Sequence, residues 1–272
     1  MSKRIWTAIM LTVIGLPAII YGGVFYFVVM AIVLGGCAWE FTRMYRAVEF
    51  EPNEMVTIGS VLLIVTARFF FADYSIAIFV LSILLAMTVH LISFERGRDK
   101  AALDFTVTVA GIVYIGWLGS YLLDIRSLPG GGWWLMIVLP IIWAGDTGAY
   151  SIGAAYGKHK MTPRLSPKKS WEGYAAGVFT AVLEGAFFAY AFSSLGPQPL
   201  GGSITPMQGA WMGFVIGALT PLGDLGESMF KRQSGTKDSS NIFPGHGGFL
   251  DRIDSWIWGA AIGFFLIQYF IL

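Results

Sequence analysis

Long apolar stretches recur along the whole chain and are separated by short polar segments. A helix needs about 20 mostly apolar residues to cross the hydrocarbon core of a bilayer, and nine stretches come near that length. The stretches are continuously apolar rather than alternating, which predicts helices and not the strands of a barrel. The nine predicted spans are approximately Ile5–Tyr21, Val24–Trp39, Met55–Phe71, Ser75–Phe94, Ala101–Leu123, Gly132–Ala144, Trp171–Ser193, Met207–Pro221 and Ser255–Leu272. Some are short for a full crossing and are expected to extend or tilt.

The composition agrees with this pattern. Of 272 residues, 56% are hydrophobic and 13% are charged, whereas soluble domains carry about 25% charged residues. The sequence therefore predicts an all-α integral membrane bundle of about nine transmembrane helices. We divide it into residues 1–130, with spans 1 to 5, and residues 131–272, with spans 6 to 9 and the polar connections 146–170 and 222–254.

Basic residues are distributed unevenly between the two predicted faces. With nine spans, only Arg68 and Arg126 of the 18 Lys and Arg residues fall outside the segments that share a face with the N-terminus. Basic loops stay in the cytoplasm, so we expect a cytoplasmic N-terminus and an external C-terminus. Compactness favours the bacterial plasma membrane as the location, with the two long polar connections facing the cytoplasm.

The connection 222–254 concentrates the groups that carry chemistry. Asp224, Glu227, Ser228 and Lys231 are three or four residues apart, so a helix would place them on one face. Arg232, Lys237 and Asp238 follow, then the sequence PGHGG and then Asp251, Arg252 and Asp254. Glycines allow backbone amides to approach an anion, and the basic side chains suit phosphate oxygens.

The carboxylates of this connection suggest a metal site. The chain has no Cys/His cluster, which disfavours zinc, whereas Asp and Glu oxygens favour Mg²⁺ or Mn²⁺ completed by phosphates and water, with a second cation as a further option. The alternative is a solvated loop, in which Asp254 caps the last span and the basic residues face the inner membrane surface.

The connection 146–170 adds a second group of polar residues. It begins with DTGAY at Asp146 and ends with Lys168, Lys169 and Ser170 before span 7, where the free amides of a helix start attract anions. An ordinary basic anchor at the membrane interface is the alternative. Asp104 and Glu184 lie within spans, where each either lines the site or pairs with a base such as Arg68.

These segments resemble the shared segments of phosphatidate cytidylyltransferases, also called CDP-diacylglycerol synthases. The resemblance is strong in the second half of the chain and rests on hydropathy alone in the first 130 residues. DTGAY, the pair Gly157–Lys158 and SPKKSWEG occur in the same order as in that family. The matching positions of the last segment are Ser228, Lys231, Arg232, Lys237, Asp238, Pro244, His246, Gly247, Gly248, Asp251, Arg252 and Asp254.

The resemblance implies a reaction in which CTP and phosphatidic acid give CDP-diacylglycerol and pyrophosphate. It implies that Asp224 and Asp251 hold the metal and, with Lys237 and Arg252, form the catalytic set. The implied substrate-binding residues are Asp146, Lys168, Lys169, Ser170, Glu227, Ser228, Lys231, Arg232, Asp238, His246, Gly247, Gly248 and Asp254. Of these, Glu227 and Asp254 are expected to support the metal or to orient basic side chains. A homodimer is expected by analogy with the family, and no nucleic-acid partner is expected.

Three other functions remain to be distinguished. A CTP-dependent kinase of a polyprenol or phytol would share the nucleotide and the membrane but would transfer the γ-phosphoryl group. Ion-coupled transporters often show inverted repeats and broken helices near the midplane. A transporter is disfavoured because no repeat is visible in the sequence and the acids gather at one face. A membrane-anchored scaffold would not require so many charges beside the spans.

Overall fold

The computed structural model of the protein describes residues 2–195, 204–243, 245 and 247–272. Almost all of the regular secondary structure in the described residues is helical. In chain order, the helices are α1 (Ser2–Tyr21), α2 (Gly23–Arg46), α3 (Glu54–Phe70), α4 (Ser75–Glu95), α5 (Ala101–Gly111), α6 (Tyr121–Ser127), α7 (Gly131–Tyr156), α8 (Trp171–Leu195), α9 (Pro206–Leu219), α10 (Pro221–Gln233) and α11 (Leu250–Phe270). A 3₁₀ turn at Ala72–Tyr74 precedes α4, and a π-helical segment at Ile112–Leu118 continues α5. A short antiparallel hairpin joins β1 (Lys160–Thr162) to β2 (Ser166–Ser170).

The predicted all-α membrane fold is confirmed. Each of the nine predicted spans coincides with a helix or a run of helices, except that Phe71 and residues 271–272 lie beyond the ends of α3 and α11. In the described residues, six helical stretches are long and apolar enough to cross a membrane: Gly23–Arg46, Ala72–Glu95, Ala101–Ser127, Gly131–Tyr156, Trp171–Ser194 and Leu250–Phe270. The helices α3 and α9 have 17 and 14 residues, so the count of nine crossings stays a prediction.

Both polar connections hold more regular structure than their composition suggests. The predicted span Gly132–Ala144 continues as α7 to Tyr156, so DTGAY is helical and does not begin a loop. The helix continues past its apolar part because small residues pack it against α8. Gly148 leaves the space that Thr180 occupies, and the Thr180 hydroxyl donates to the carbonyl oxygen of Ala144 at 3.0 Å. The other connection begins with a separate amphipathic helix, α10.

The described chain divides into two compact units, and the first contains residues up to Asp124 together with Phe230–Ile253. Aromatic contacts attach the later segment to the N-terminal helices. The Phe230 ring centroid lies 5.3 Å from that of Phe41 and 5.4 Å from that of Tyr114. Part of the connection predicted to carry chemistry therefore packs in the same unit as the first 124 residues.

A polar network in the first unit holds the connection between α2 and α3. Asp104, 1% exposed, accepts hydrogen bonds from the Arg98 guanidinium and from the backbone N–H of Glu51, each at 2.8 Å. The Asp104 carboxylate raises the pKa of Arg98, and a hydrogen bond from Lys100 lowers the pKa of Glu49. The partner of Asp104 is thus Arg98, while Arg68 pairs with Asp124.

The second unit contains Ile125–Met229 and Asp254–Leu272. Its helices α7, α8 and α9 approach closely through small residues. A Cβ atom at Gly209 would overlap the carbonyl oxygen of Gly185, and one at Gly213 would overlap that of Ala181. Such contacts between backbones are typical of helix association in lipid, where apolar burial alone gives little preference for one partner.

Candidate functional site

Three carboxylates meet in the second unit, and we call them the acidic cluster. One oxygen from each of Asp224, Glu227 and Asp254 lies within 4.8 Å of the others. Asp224 and Glu227 are three residues apart in α10, so they lie on one face of that helix. Gly223 lets the start of α10 approach Asp254, because a Cβ atom at Gly223 would lie 2.7 Å from the Asp254 carbonyl oxygen.

Residues from the connection 146–170 reach the same cluster. The Lys169 ammonium, on β2, lies 2.7 Å from Asp224 Oδ2. Asp146, on α7, is repelled by Asp224 and attracted by Lys169. The Ser228 hydroxyl donates to Asp224 Oδ1 at 3.4 Å. The structure thus groups Asp146, Lys169 and Asp224, which the sequence alone placed in two separate connections.

The donor set of the acidic cluster fits a hard divalent cation. All of its side-chain donors are carboxylate oxygens, which suit Mg²⁺ or Mn²⁺ and not zinc. Glu227 is only 1% exposed, and a carboxylate buried among others is expensive unless cations or hydrogen-bond donors satisfy it. Among the described residues of the second unit, Asp224, Glu227 and Asp254 are therefore suited to hold a metal.

Asp251, the other predicted metal ligand, is surrounded by protein donors in the first unit. Its Oδ1 accepts a hydrogen bond from Lys231 Nζ at 2.6 Å. Its Oδ2 accepts from the Ser239 backbone N–H at 2.8 Å, the Ser239 hydroxyl at 2.7 Å and the Gly248 N–H at 2.8 Å. In this structure Asp251 thus organises the chain around it, and its role as a metal ligand stays a prediction.

Glu40 is a buried carboxylate that contacts the last polar connection and that the sequence reasoning missed. It lies in α2, is fully buried, and accepts hydrogen bonds from Ser239, Ser240, Phe249 and Leu250. The signal for it was present, because a glutamate inside an apolar helix is rarely without a function. Its distance in sequence from the other acids concealed the connection.

The carboxylates explain why two of the predicted glycines are required. A Cβ atom at Gly248 would overlap Glu40 Oε1, and one at Gly247 would overlap Asp251 Oδ2. Gly247 also has φ +77°, a conformation that costs non-glycine residues energy. The Gly248 N–H donates to Asp251 in this structure. A contact between this N–H and a substrate phosphate stays a prediction.

The remaining predicted residues divide by exposure. Ser170 is 3% exposed, and its hydroxyl accepts the Gly173 N–H at 3.2 Å, so it caps the start of α8 in this structure. Pro244 and His246 lie outside the described residues. The predicted side chains that are open to solvent are Lys168, Arg232, Lys237, Asp238 and Arg252.

Comparison with known protein families gives one match that covers nearly the entire chain. Residues 2–270 match the model of the cytidylyltransferase family. The match thus includes the N-terminal helices, for which the sequence offered only hydropathy.

Several curated relatives share the name phosphatidate cytidylyltransferase. That of Bacillus subtilis is 32% identical over 99% of this chain and 98% of its own length, and that of Pseudomonas aeruginosa is 32% identical over 94% and 92%. A relative from Haemophilus influenzae is 46% identical over 51% of this chain and 46% of its own length. The similarity therefore covers nearly the full length of two of these relatives. The sequence identity is higher for the relative from Haemophilus influenzae, whose match is shorter.

Proposed function

Because the chain belongs to the cytidylyltransferase family, we propose that it makes CDP-diacylglycerol and pyrophosphate from CTP and phosphatidic acid. The end-to-end relatives carry the name of this activity. The observation that carries the proposal is the acidic cluster with Lys169 against Asp224, in an integral membrane protein of this family. Such a site suits two phosphate-bearing substrates, one of them a lipid.

The proposed reaction needs alignment and charge neutralisation more than a strong base. An oxygen of the lipid phosphate attacks the α-phosphorus of CTP, the bond from that phosphorus to the bridging oxygen breaks, and pyrophosphate leaves. The lipid phosphate is already ionised at neutral pH, so a general base is not required. The residues must hold two anions together and stabilise the charge that moves to the leaving group.

The acidic cluster would hold Mg²⁺ or Mn²⁺. When bound, the ion would neutralise phosphate charge. The proposal keeps Asp224 as a ligand and adds Glu227 and Asp254, whose oxygens lie close to it. Asp251 as a ligand and a second cation belong to the same proposal, and a magnesium titration of Asp251→Asn tests the former.

The basic residues have separate proposed roles. Lys169 is held by Asp224 and would bind the nucleotide phosphates together with Lys168. Arg232, Lys237 and Arg252 are exposed and would bind phosphates of CTP, phosphatidic acid or pyrophosphate. Arginine suits this role because its planar guanidinium matches two phosphate oxygens at once.

The proposed location is the bacterial plasma membrane, with the site facing the cytoplasm. Bacterial relatives, and six apolar helices in the part of the chain that the structure describes, support an integral membrane protein. The basic loops support the cytoplasmic orientation, and CTP is a cytosolic polyanion. We include a homodimer in the proposal; light scattering of the purified protein in detergent of known micelle mass would detect it.

Position-specific labels in CTP test the activity. Purified protein is incubated with phosphatidic acid, Mg²⁺ and CTP labelled with ³²P at the α- or the γ-phosphate, and lipids are then extracted. We expect the α-label in the lipid phase and the γ-label in aqueous pyrophosphate. A γ-label in the lipid would instead identify a lipid kinase. The absence of both labels from lipid, with CTP-independent solute uptake in vesicles, would favour a transporter.

A further inference from the structure

One carboxylate that the proposed reaction does not use is fully buried in α2. Glu40 has 0% exposure and lies among apolar core residues such as Cys37 and Phe41. A charged side chain in such a helix costs free energy unless several donors surround it. Among the described residues, the hydrogen-bond donors to Glu40 lie 199 to 210 positions further along the sequence.

Four hydrogen bonds connect Glu40 to these distant residues. Its Oε1 accepts from the Ser240 hydroxyl at 2.6 Å and from the Phe249 N–H at 2.9 Å. Its Oε2 accepts from the Ser239 hydroxyl and from the Leu250 N–H, both at 2.9 Å. We call residues 239–243 and 247–250 the clamped segment.

The pattern of donors distinguishes a glutamate from a glutamine at this position. Phe249 and Leu250 offer backbone N–H groups, which only donate, and one faces each oxygen of Glu40. A glutamine has one oxygen and one NH₂ group, so its NH₂ would face a backbone donor whichever way it turned. The site therefore requires both carboxylate oxygens as acceptors, not merely a polar side chain of the same shape.

The clamped segment has a second carboxylate on its other side. Ser239 Oγ lies 2.9 Å from Glu40 Oε2 and 2.7 Å from Asp251 Oδ2, so its single proton is donated to one carboxylate at a time while the hydroxyl lies between both. Asp251 also accepts the Gly248 N–H, while a side chain at Gly248 would overlap Glu40. The two carboxylates thus hold the described residues at both ends of the clamped segment, next to Lys237 on one side and Arg252 on the other.

We propose that Glu40 is a positioning residue for the reaction. By fixing the clamped segment, it places Lys237 and Arg252, which flank that segment, for contact with substrate phosphates. The acid acts through the segment and touches no substrate. A misplacement of about 1 Å far from the chemistry lowers turnover by about 100-fold.

Kinetics of Glu40→Gln test this role, and Asp104→Asn is the matched control. Asp104 is also a buried carboxylate of the first unit, with a backbone donor and a basic partner, but it contacts Glu51 and Arg98 rather than the clamped segment. We expect Glu40→Gln to lower kcat by about 10- to 100-fold while KM for CTP changes less than about threefold, since the exposed cations remain present. Asp104→Asn should lower kcat less than about threefold at equal protein level.

A second measurement does not depend on activity. Ile242 is 43% exposed within the clamped segment, and the native Cys37 is buried, so Ile242→Cys offers a selective position for a nitroxide label. We expect a restricted spectrum with Glu40 present, a mobile one in Glu40→Gln, and a restricted one in Asp104→Asn. The unsubstituted protein, treated with the same reagent, gives the background from Cys37.

The kinetic test rests on the proposed cytidylyltransferase activity, and the spectroscopic test does not. If the unsubstituted protein forms no CDP-lipid, the proposed function fails while the label still reports on the clamp. Near-normal kcat in Glu40→Gln, an unchanged spectrum in that variant, or equal losses in Glu40→Gln and Asp104→Asn would each overturn the positioning role.

Discussion

At the residue scale, the acids of this protein differ in what occupies their oxygens. Protein donors lie within hydrogen-bond distance of both oxygens of Glu40 and of both oxygens of Asp251. The two acids share Ser239, whose single hydroxyl proton serves one of them at a time. Asp224 instead has contacts with Lys169 and Ser228 and lies among other carboxylates. Asp224 is therefore the acid whose surroundings best suit a cation, and its substitution should affect metal use directly.

Replacing Asp224 by asparagine should reduce CDP-lipid formation by at least about 100-fold, a loss typical of a lost electrostatic contact in an active site. It should also raise the Mg²⁺ concentration for half-maximal rate, because an amide oxygen carries no charge to attract the ion. The rate is measured in membranes against Mg²⁺ concentration, at matched protein levels. Asp73→Asn, an exposed acid in the turn before α4, serves as the control. Near-normal turnover in Asp224→Asn would remove Asp224 from the metal site.

At the scale of elements, the hairpin β1–β2 brings a basic side chain to an acid on another element. Strand β2 ends at Ser170, which caps α8, so Lys169 is held next to a helix start while it contacts Asp224. The neighbouring Lys168 is exposed. The hairpin therefore gives two adjacent lysines different surroundings.

We expect Lys169→Gln to raise KM for CTP and to lower kcat, since it removes both a cation for phosphates and the partner of Asp224. Lys160→Gln, on β1, keeps the hairpin and serves as the control. Initial rates at varied CTP measure both constants. Equal kinetics in the two variants would show that the contact with Asp224 has no part in catalysis.

Helix packing in the second unit leads to a separate expectation for stability. Gly209→Ala would force α8 and α9 apart, because the added Cβ atom overlaps the Gly185 carbonyl oxygen. Overpacking of this kind costs about 1–3 kcal/mol. Gly59→Ala, with nothing within 4 Å of its added Cβ atom, should leave stability unchanged or raised. Thermal unfolding in one detergent compares them, and equal melting temperatures would contradict the close approach.

At the scale of the whole molecule, the distribution of charge predicts orientation in the membrane. The connection between α4 and α5 carries Arg96, Arg98 and Lys100, whereas the turn between α3 and α4 has only the acid Asp73. Basic loops remain in the cytoplasm. These two connections should therefore lie on opposite sides of the bilayer.

Cysteines at Asp99 and Asp73 test this orientation with a membrane-impermeant thiol reagent. Asp73→Cys should react in intact cells, and Asp99→Cys should react only in inverted vesicles. The buried Cys37 should leave the unsubstituted protein unlabelled, which serves as the control. Reaction of Asp99→Cys in intact cells would reverse the assigned orientation.

The sequence by itself determined the membrane fold and the identity of most polar residues of interest. Both follow from local features. Continuous apolar runs can only be helices in lipid, and the spacing of Asp224 and Glu227 places them on one face of any helix that contains them. The resemblance in the last segment extended this to a family, which the match over residues 2–270 confirms.

Only the tertiary structure decided which acids share a site and what each one contacts. Asp254 joins Asp224 and Glu227, while Glu40 in α2 contacts residues 239, 240, 249 and 250. The physical reason is that such contacts depend on how helices pack, and packing depends on shape at small residues such as Gly223 and Gly248, where a single Cβ atom decides how closely two segments approach. No periodicity along the chain records that distance.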